Sequence, residues 1–188
     1  MVSLLVPFSQ MIPEILVERV IAKDSKRYEG EIDGFIKGSE KHTHNKVNTV
    51  HQIDTADVEI NGFKATSESF CTITSRFEHE GREYDKVTQC RLMSRLEKLS
   101  DSLQGSPWRM LTLEPIYLRD SFVPATPQLT GTFPLFKGLD NYPKTFRHGV
   151  WLLASIGIAS RYDLPNEDDR ESVGKIIGQN HAWLYAAS

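Results

Sequence analysis

A chain of 188 residues, 39% hydrophobic and 25% charged, holds enough apolar side chains for one buried core and reads as an ordinary globular domain with a C-terminal extension. Its net charge of -3 leaves no electrostatic footprint for nucleic acid, and no block of Lys and Arg forms a basic arm. The two cysteines, Cys71 and Cys90, are too few for a disulfide scaffold and lack metal-ligand spacing, so a reducing, cytoplasmic setting fits; no apolar run approaches the ~20 residues that cross a membrane.

The apolar opening, Met1 to Phe8, lacks a basic start, and Pro7 and Pro13 interrupt it, so it reads as a packed or frayed N-terminus and not as a signal. From Pro13 to Ala22 the positions Ile15, Leu16, Val20 and Ile21 recur at helical spacing behind an early proline, which predicts a short helix. A second helical segment is predicted over Lys26 to Ile36, closed by Gly38, with Tyr28, Ile32, Phe35 and Ile36 to bury. Then come His42 and His44, followed by a predicted strand from Lys46 to Ile53. Ala56 to Ile60 runs into Asn61 and Gly62, a hairpin signal because both residues tolerate positive φ.

Two long segments, Phe63 to Glu78 and Glu83 to Lys98, flank His79, Glu80, Gly81 and Arg82. A turn centred on Glu80 and Gly81 sets Cys71 opposite Cys90, Phe77 opposite Tyr84 and Arg76 opposite Asp85. One face then carries Phe63, Ala65, Ser67, Ser69, Cys71, Ile73 and Phe77 against Leu96, Ser94, Leu92, Cys90, Thr88 and Tyr84; the other is largely charged. Small side chains on the first face leave room for a ligand in a cupped sheet, or for a helix packed tightly against it. Cys71 and Cys90 read as a redox pair or as buried free thiols acting as small hydrophobes, the second favoured because directly opposed cross-strand disulfides are strained, and Asp85 reads as the partner of an ordinary cross-strand ion pair.

Trp108 to Arg119 is the last predicted strand, its Pro115 placed at an edge or bulge. Residues 121 to 143 contain Pro124, Pro127, Pro134 and Pro143 and read as an extended connector. Arg147 to Tyr162 can form an apolar helix through Val150, Trp151, Leu153, Ala154 and Ile158. A final helix follows, with Asp168 and Glu171 as a capping box and Val173, Ile176, Ile177, Asn180 and Leu184 along one side. This pair of helices is expected to dock on the sheet or on a second subunit. His148 and His181, in this tail, belong to no recognisable constellation.

His44 and Asn48 entering a strand, the hairpin Ile60 to Ser67, the unit Gly81, Arg82, Tyr84 and Asp85, then Trp108, Arg109 and Met110 in a strand ending at Asp120, together resemble the SnoaL-like proteins of the nuclear-transport-factor-2-like superfamily. The likeness covers about residues 30 to 120, and it rests on the order and spacing of loose motifs. The tail from Phe146 and Arg147 to Trp183 and Leu184 is similar to an extension found in some SnoaL-like sequences. The resemblance implies an α+β fold: a curved antiparallel sheet of about four strands forming a cone with N-terminal helices over residues 1–120, plus a proline-rich connector and helical extension over residues 121–188. Met1 to Ala22 departs from the family's pattern of two helices and a short strand. The implied activity is that of a cofactor-independent lyase, isomerase or cyclase acting on a small hydrophobic, polyketide- or terpenoid-like substrate of secondary metabolism, in a homodimer. The alternative is a noncatalytic module of the same fold that binds a small ligand or a partner chain.

For such chemistry a group that titrates near neutrality is needed beside one that fixes it, which nominates His44 as general acid or base and Tyr84 to polarise an oxygen. His42, Asn48, Ser69, Phe77, Leu92 and Trp108 are the expected substrate-binding residues. His42, His44 and His51 lack a carboxylate at matching spacing, so no metal is expected. No phosphate loop, nucleophile elbow or zinc-protease motif occurs in the sequence.

Overall fold

A computed structural model describes residues 23–24, 26–27, 48–98, 108–126, 136–157 and 162–186. Lys23–Asp24 (β1) and Lys26–Arg27 (β2) form a two-residue antiparallel pair. Lys26 and Arg27 are thus paired extended backbone and do not begin a helix; the expected apolar helical face starts only at Tyr28. The rest of that expected helix, and the one from Pro13 to Ala22, lie outside the described residues.

The fold is α+β, built on one open antiparallel sheet. Its strands are Asn48–Ile53 (β3), Asp57–Asn61 (β4), Lys64–His79 (β5), Arg82–Lys98 (β6) and Trp108–Pro124 (β7). The order is β3-β5-β6-β7, and β4 follows β3 along the same edge of β5. Between Ile53 opposite Cys71 and Asp57 opposite Glu68 the edge advances four residues while β5 advances three, a bulge that breaks the edge into two strands. The β4–β5 turn is Gly62 and Phe63, not Asn61 and Gly62: Asn61 pairs with Lys64, and only Gly62 takes positive φ, at 62°. Phe63 is therefore an exposed turn residue and not a member of the inner face.

The β5–β6 hairpin has the register read from its sequence, from Lys64 opposite Glu97 to His79 opposite Arg82. Glu80 and Gly81 both adopt positive φ, 49° and 71°, which matches the right-handed strand twist of a two-residue hairpin. β7 is longer than expected, continuing to Pro124, and register shifts at Gln89/Cys90 and Arg95/Leu96 bend its pairing with β6. Pro115 sits mid-strand. It is tolerated because, among the described residues, β6 is the one strand laddered to β7, and further along the outer side Tyr117 exchanges backbone hydrogen bonds with Pro165 and Glu167.

Among the described residues, two helices cover opposite faces of this sheet. Arg147–Ser155 (α1) and the segment leading to it lie on the inner face, where Phe146, Val150 and Leu164 pack on Cys71, Cys90 and Tyr117, and Phe136 and Leu152 pack on Phe77, Tyr84 and Phe122. α1 is shorter than its sequence predicts. It stops before Gly157, whose φ of 80° turns the chain out of the helix.

Arg170–Tyr185 (α2) crosses the outer face. Ile176 and Val173 meet Met93 and Ile116, and Asn180 and Leu184 follow on the buried stripe, while Ile177 stays 44% exposed. Its cap is Asp169, whose side chain accepts from the Glu171 and Ser172 amides; Asp168 is displaced by one residue from that position. Polar contacts fasten the helix down: Arg95 Nε donates to Asn180 Oδ1 at 2.7 Å, Asn61 Nδ2 to the Leu184 carbonyl at 3.0 Å, and Tyr185 pairs with Glu59. Among the described residues no helix is long and apolar enough to cross a membrane, which leaves strand-built crossings unaddressed.

Candidate functional site

The nominated residues distribute along the strands instead of converging. His42 and His44 lie outside the described residues. Asn48 opens β3 opposite Arg76, a register position in the outer row. Tyr84, 2% exposed, packs against Phe77 and Phe136 with ring centroids 5.8 and 5.5 Å away. Ser69 pairs with Leu92 on the inner face, eight residues up β6 from Tyr84, about 27 Å along an extended strand. Trp108 begins β7 opposite Lys98, farther still. The structure therefore brings Phe77 and Tyr84 together, and Ser69 and Leu92 together, with Trp108 at the far end of the sheet's inner strands.

Around Tyr84 the inner face is an aromatic cluster. Phe122 lies 4.9 Å from Phe77 and 4.5 Å from Phe136, Trp151 stands edge-on to Phe136 at 4.9 Å, and His79 stacks on Phe136 at 5.1 Å. Rings in these offset and edge-to-face arrangements add about 0.5–1.5 kcal/mol per pair beyond their area. Trp151 Nε1 donates to the Lys137 carbonyl at 3.0 Å, so its one polar atom is satisfied.

Beside this cluster lies the constellation that sequence reasoning missed. Asp120, on β7 opposite Thr88, has a fully buried side chain with both oxygens engaged: Oδ1 meets His148 Nδ1 at 2.7 Å and Oδ2 accepts the Gly149 amide at 2.7 Å. A buried carboxylate costs several kcal/mol unless compensated, and here the compensation comes from an imidazole and from the positive end of α1. The helix needs that acceptor, because its own N-cap residue, Phe146, supplies no side-chain hydrogen bond. A Cβ placed on Gly149 would stand 3.5 Å from Asp120 Oδ2 and 3.8 Å from Lys86 Nζ, so the ammonium also lies close to this point. The Thr88 hydroxyl is buried with no hydrogen-bond partner in the structure.

His148 is held from two sides. Phe122 stands edge-on to its ring at 4.7 Å, and its side chain is 13% exposed. An ionised carboxylate only accepts, so the contact places a hydrogen on Nδ1 and turns Nε2 away from Asp120. That is the arrangement in which a carboxylate orients an imidazole for proton transfer. No spacing rule links the two partners: 28 residues, most of them a proline-rich connector, separate Asp120 from His148. The available signals were Asp120 at the strand end and a histidine in the first turn of an apolar helix.

The outer face is ionic. Arg76 grips Asp85 with two bonds of 2.8 Å, which holds the Asp85 carboxyl below its ordinary 3.8. Arg91 bridges Glu68 at 2.6 Å and Glu167 at 2.8 Å, tying the loop before α2 to the sheet. Among the described residues no three His, Cys, Asp or Glu side chains are grouped to hold a metal ion.

An α+β protein with an open antiparallel sheet, a helix on each face and an Asp–His pair under the inner helix is the class these observations define. No family model matches the chain. It is 30% identical over 132 residues to a PEP2-like protein of Fusarium vanettenii, a match covering 69% of this chain and 52% of that protein. Over 156 residues it is 28% identical to an uncharacterized protein of Emericella nidulans, covering 80% of this chain and 63% of the relative. Pea pathogenicity protein 2 of Fusarium vanettenii is 29% identical over 132 residues, with 69% and 52% covered. The chain thus spans between about half and two thirds of the length of these curated relatives.

Proposed function

We propose that this chain is a cofactor-independent acid/base catalyst of the lyase, isomerase or cyclase kind, acting on a small hydrophobic molecule in the manner of the SnoaL-like proteins its sequence resembles. The observation that carries the reading is the Asp120–His148 pair: a wholly buried carboxylate orienting an imidazole beside an aromatic wall. In this reading His148 moves the proton at Nε2, and Asp120 is the positioning residue that fixes its tautomer. The sheet's inner face forms one wall of a conical cavity, the protein works as a cytoplasmic homodimer, and His44 and Tyr84 remain candidates for a second polar group. The name of one relative speaks of pathogenicity toward pea, and a small-molecule step in secondary metabolism directed at a host would suit it.

One observation favours the noncatalytic alternative. Phe136 and Leu152 fill the inner face over Phe77 and Tyr84, as they would in a core that serves binding or assembly. Untargeted metabolite profiles of cells carrying the wild-type gene, a His148→Gln variant or a deletion separate the two. Catalysis at His148 predicts one accumulating precursor shared by the deletion and the variant. A variant profile equal to wild type overturns the assignment to His148, and a deletion profile equal to wild type overturns the enzyme.

A further inference from the structure

The chain has only two cysteines, and the fold sets them face to face. Cys71 on β5 stands directly opposite Cys90 on β6, both reduced and both buried, at 2% and 0% exposure. Residues directly opposed in an antiparallel pair have Cα atoms about 4.5–5.5 Å apart. That interval falls inside the roughly 4.4–6.8 Å that disulfides span. We propose that Cys71 and Cys90 are an intramolecular thiol–disulfide couple, oxidised by a hydroperoxide and reopened by a dithiol.

Three features around the pair support this. The two thiols are hydrogen-bonded to each other, which favours the Cys71 thiolate, the form that attacks an oxidant. The β6–β7 register shifts at Gln89/Cys90, where β7 carries an extra residue, Leu118, between the partners of these two, so the ladder beside Cys90 is locally broken and more strongly twisted. A cross-strand disulfide is strained, and strain raises its reduction potential, which makes it a labile bond suited to reversal and not a structural staple.

The chemistry balances with one oxidant. The Cys71 thiolate attacks the distal oxygen of a hydroperoxide, the O–O bond breaks, and an alcohol or water leaves, giving a sulfenic acid. The Cys90 sulfur then displaces hydroxide, which departs as water with the Cys90 proton, and the S–S bond forms. Two electrons and two hydrogens leave the protein.

Because both sulfurs lie beneath Phe146 and Val150, the oxidant enters when α1 lifts from the inner face, and the Asp120 clasp on Gly149 restrains that opening. Oxidation brings the sulfurs to about 2 Å. Phe146 packs on them and precedes His148 by two residues, so their movement reaches the Asp120–His148 contact. The redox couple itself does not depend on the proposed catalysis.

The folded wild-type protein is treated with hydrogen peroxide, then denatured, alkylated with iodoacetamide and weighed intact. The expected product is lighter by two hydrogens, takes up no alkyl group, and regains two alkylatable thiols after dithiothreitol. Cys90→Ser, or Cys71→Ala if the first variant fails to fold, gives no such product. A protein that keeps both thiols, or gains only oxygen, overturns the proposal. In the same sample the His148 ring resonances are expected to shift on oxidation; a disulfide that forms while they stay fixed overturns the coupling to α1. A negative metabolite result would leave the mass change as it stands, so the two readings fail separately.

Discussion

At Asp120 one carboxylate serves two purposes, closing the open end of α1 and orienting His148. Hydrogen bonds to a charged group are worth about 1.5–3 kcal/mol, and a buried donor left unpaired costs about 1–3 kcal/mol. Asp120→Asn keeps the shape but loses the charge and one acceptor, so it is expected to cost about 1–3 kcal/mol in urea unfolding. The same variant should lose the Nδ1–H tautomer of His148, which nitrogen NMR of the imidazole reads directly. An unchanged stability and tautomer would remove Asp120 from both roles. His44 was nominated for standing at a strand entrance, a local feature. His148 acquires its surroundings only when a distant strand supplies its partner.

Among the elements, α2 shows which sequence signals survive folding. Its buried stripe of Ile176, Asn180 and Leu184 follows the expected four-residue spacing, yet Ile177, one step around the helix, faces water. Apolar pattern alone could not rank Ile176 above Ile177, because both lie within the width of an amphipathic face. Ile176→Ala is expected to cost about 2–5 kcal/mol and Ile177→Ala under about 0.5 kcal/mol. Asp169→Ala should cost about 0.5–2 kcal/mol, more than Asp168→Ala, because Asp169 accepts the helix amides. Chemical denaturation of the four variants ranks them, and equal losses at Ile176 and Ile177 would contradict the docking of α2. The β5–β6 hairpin, by contrast, was legible to the residue: Glu80 and Gly81 specify the turn, and strand parity then assigns every side chain to a face.

Over the whole molecule, the C-terminal segment packs on both faces of the sheet. The helices bury Met93, Cys90, Ile116 and Phe122 from both sides, and a β-sheet with both faces bared retains too little buried apolar surface to offset chain entropy. A chain ending at Thr126 is therefore expected to lose cooperative unfolding, followed by near-ultraviolet circular dichroism on heating. A sharp transition in that fragment would show that residues 127–188 are an accessory to an independent domain.

What the amino-acid order determined by itself was local: the Glu80–Gly81 hairpin turn, the register it imposes, the facing cysteines, and the split into a small inner face and a charged outer one. Those follow from φ preferences and from the two-residue period of a strand, which need no distant partner. The tertiary structure alone decided which helix covers which face and that Asp120 meets His148. Contacts across a long connector depend on how whole elements pack, and no short-range rule encodes that choice.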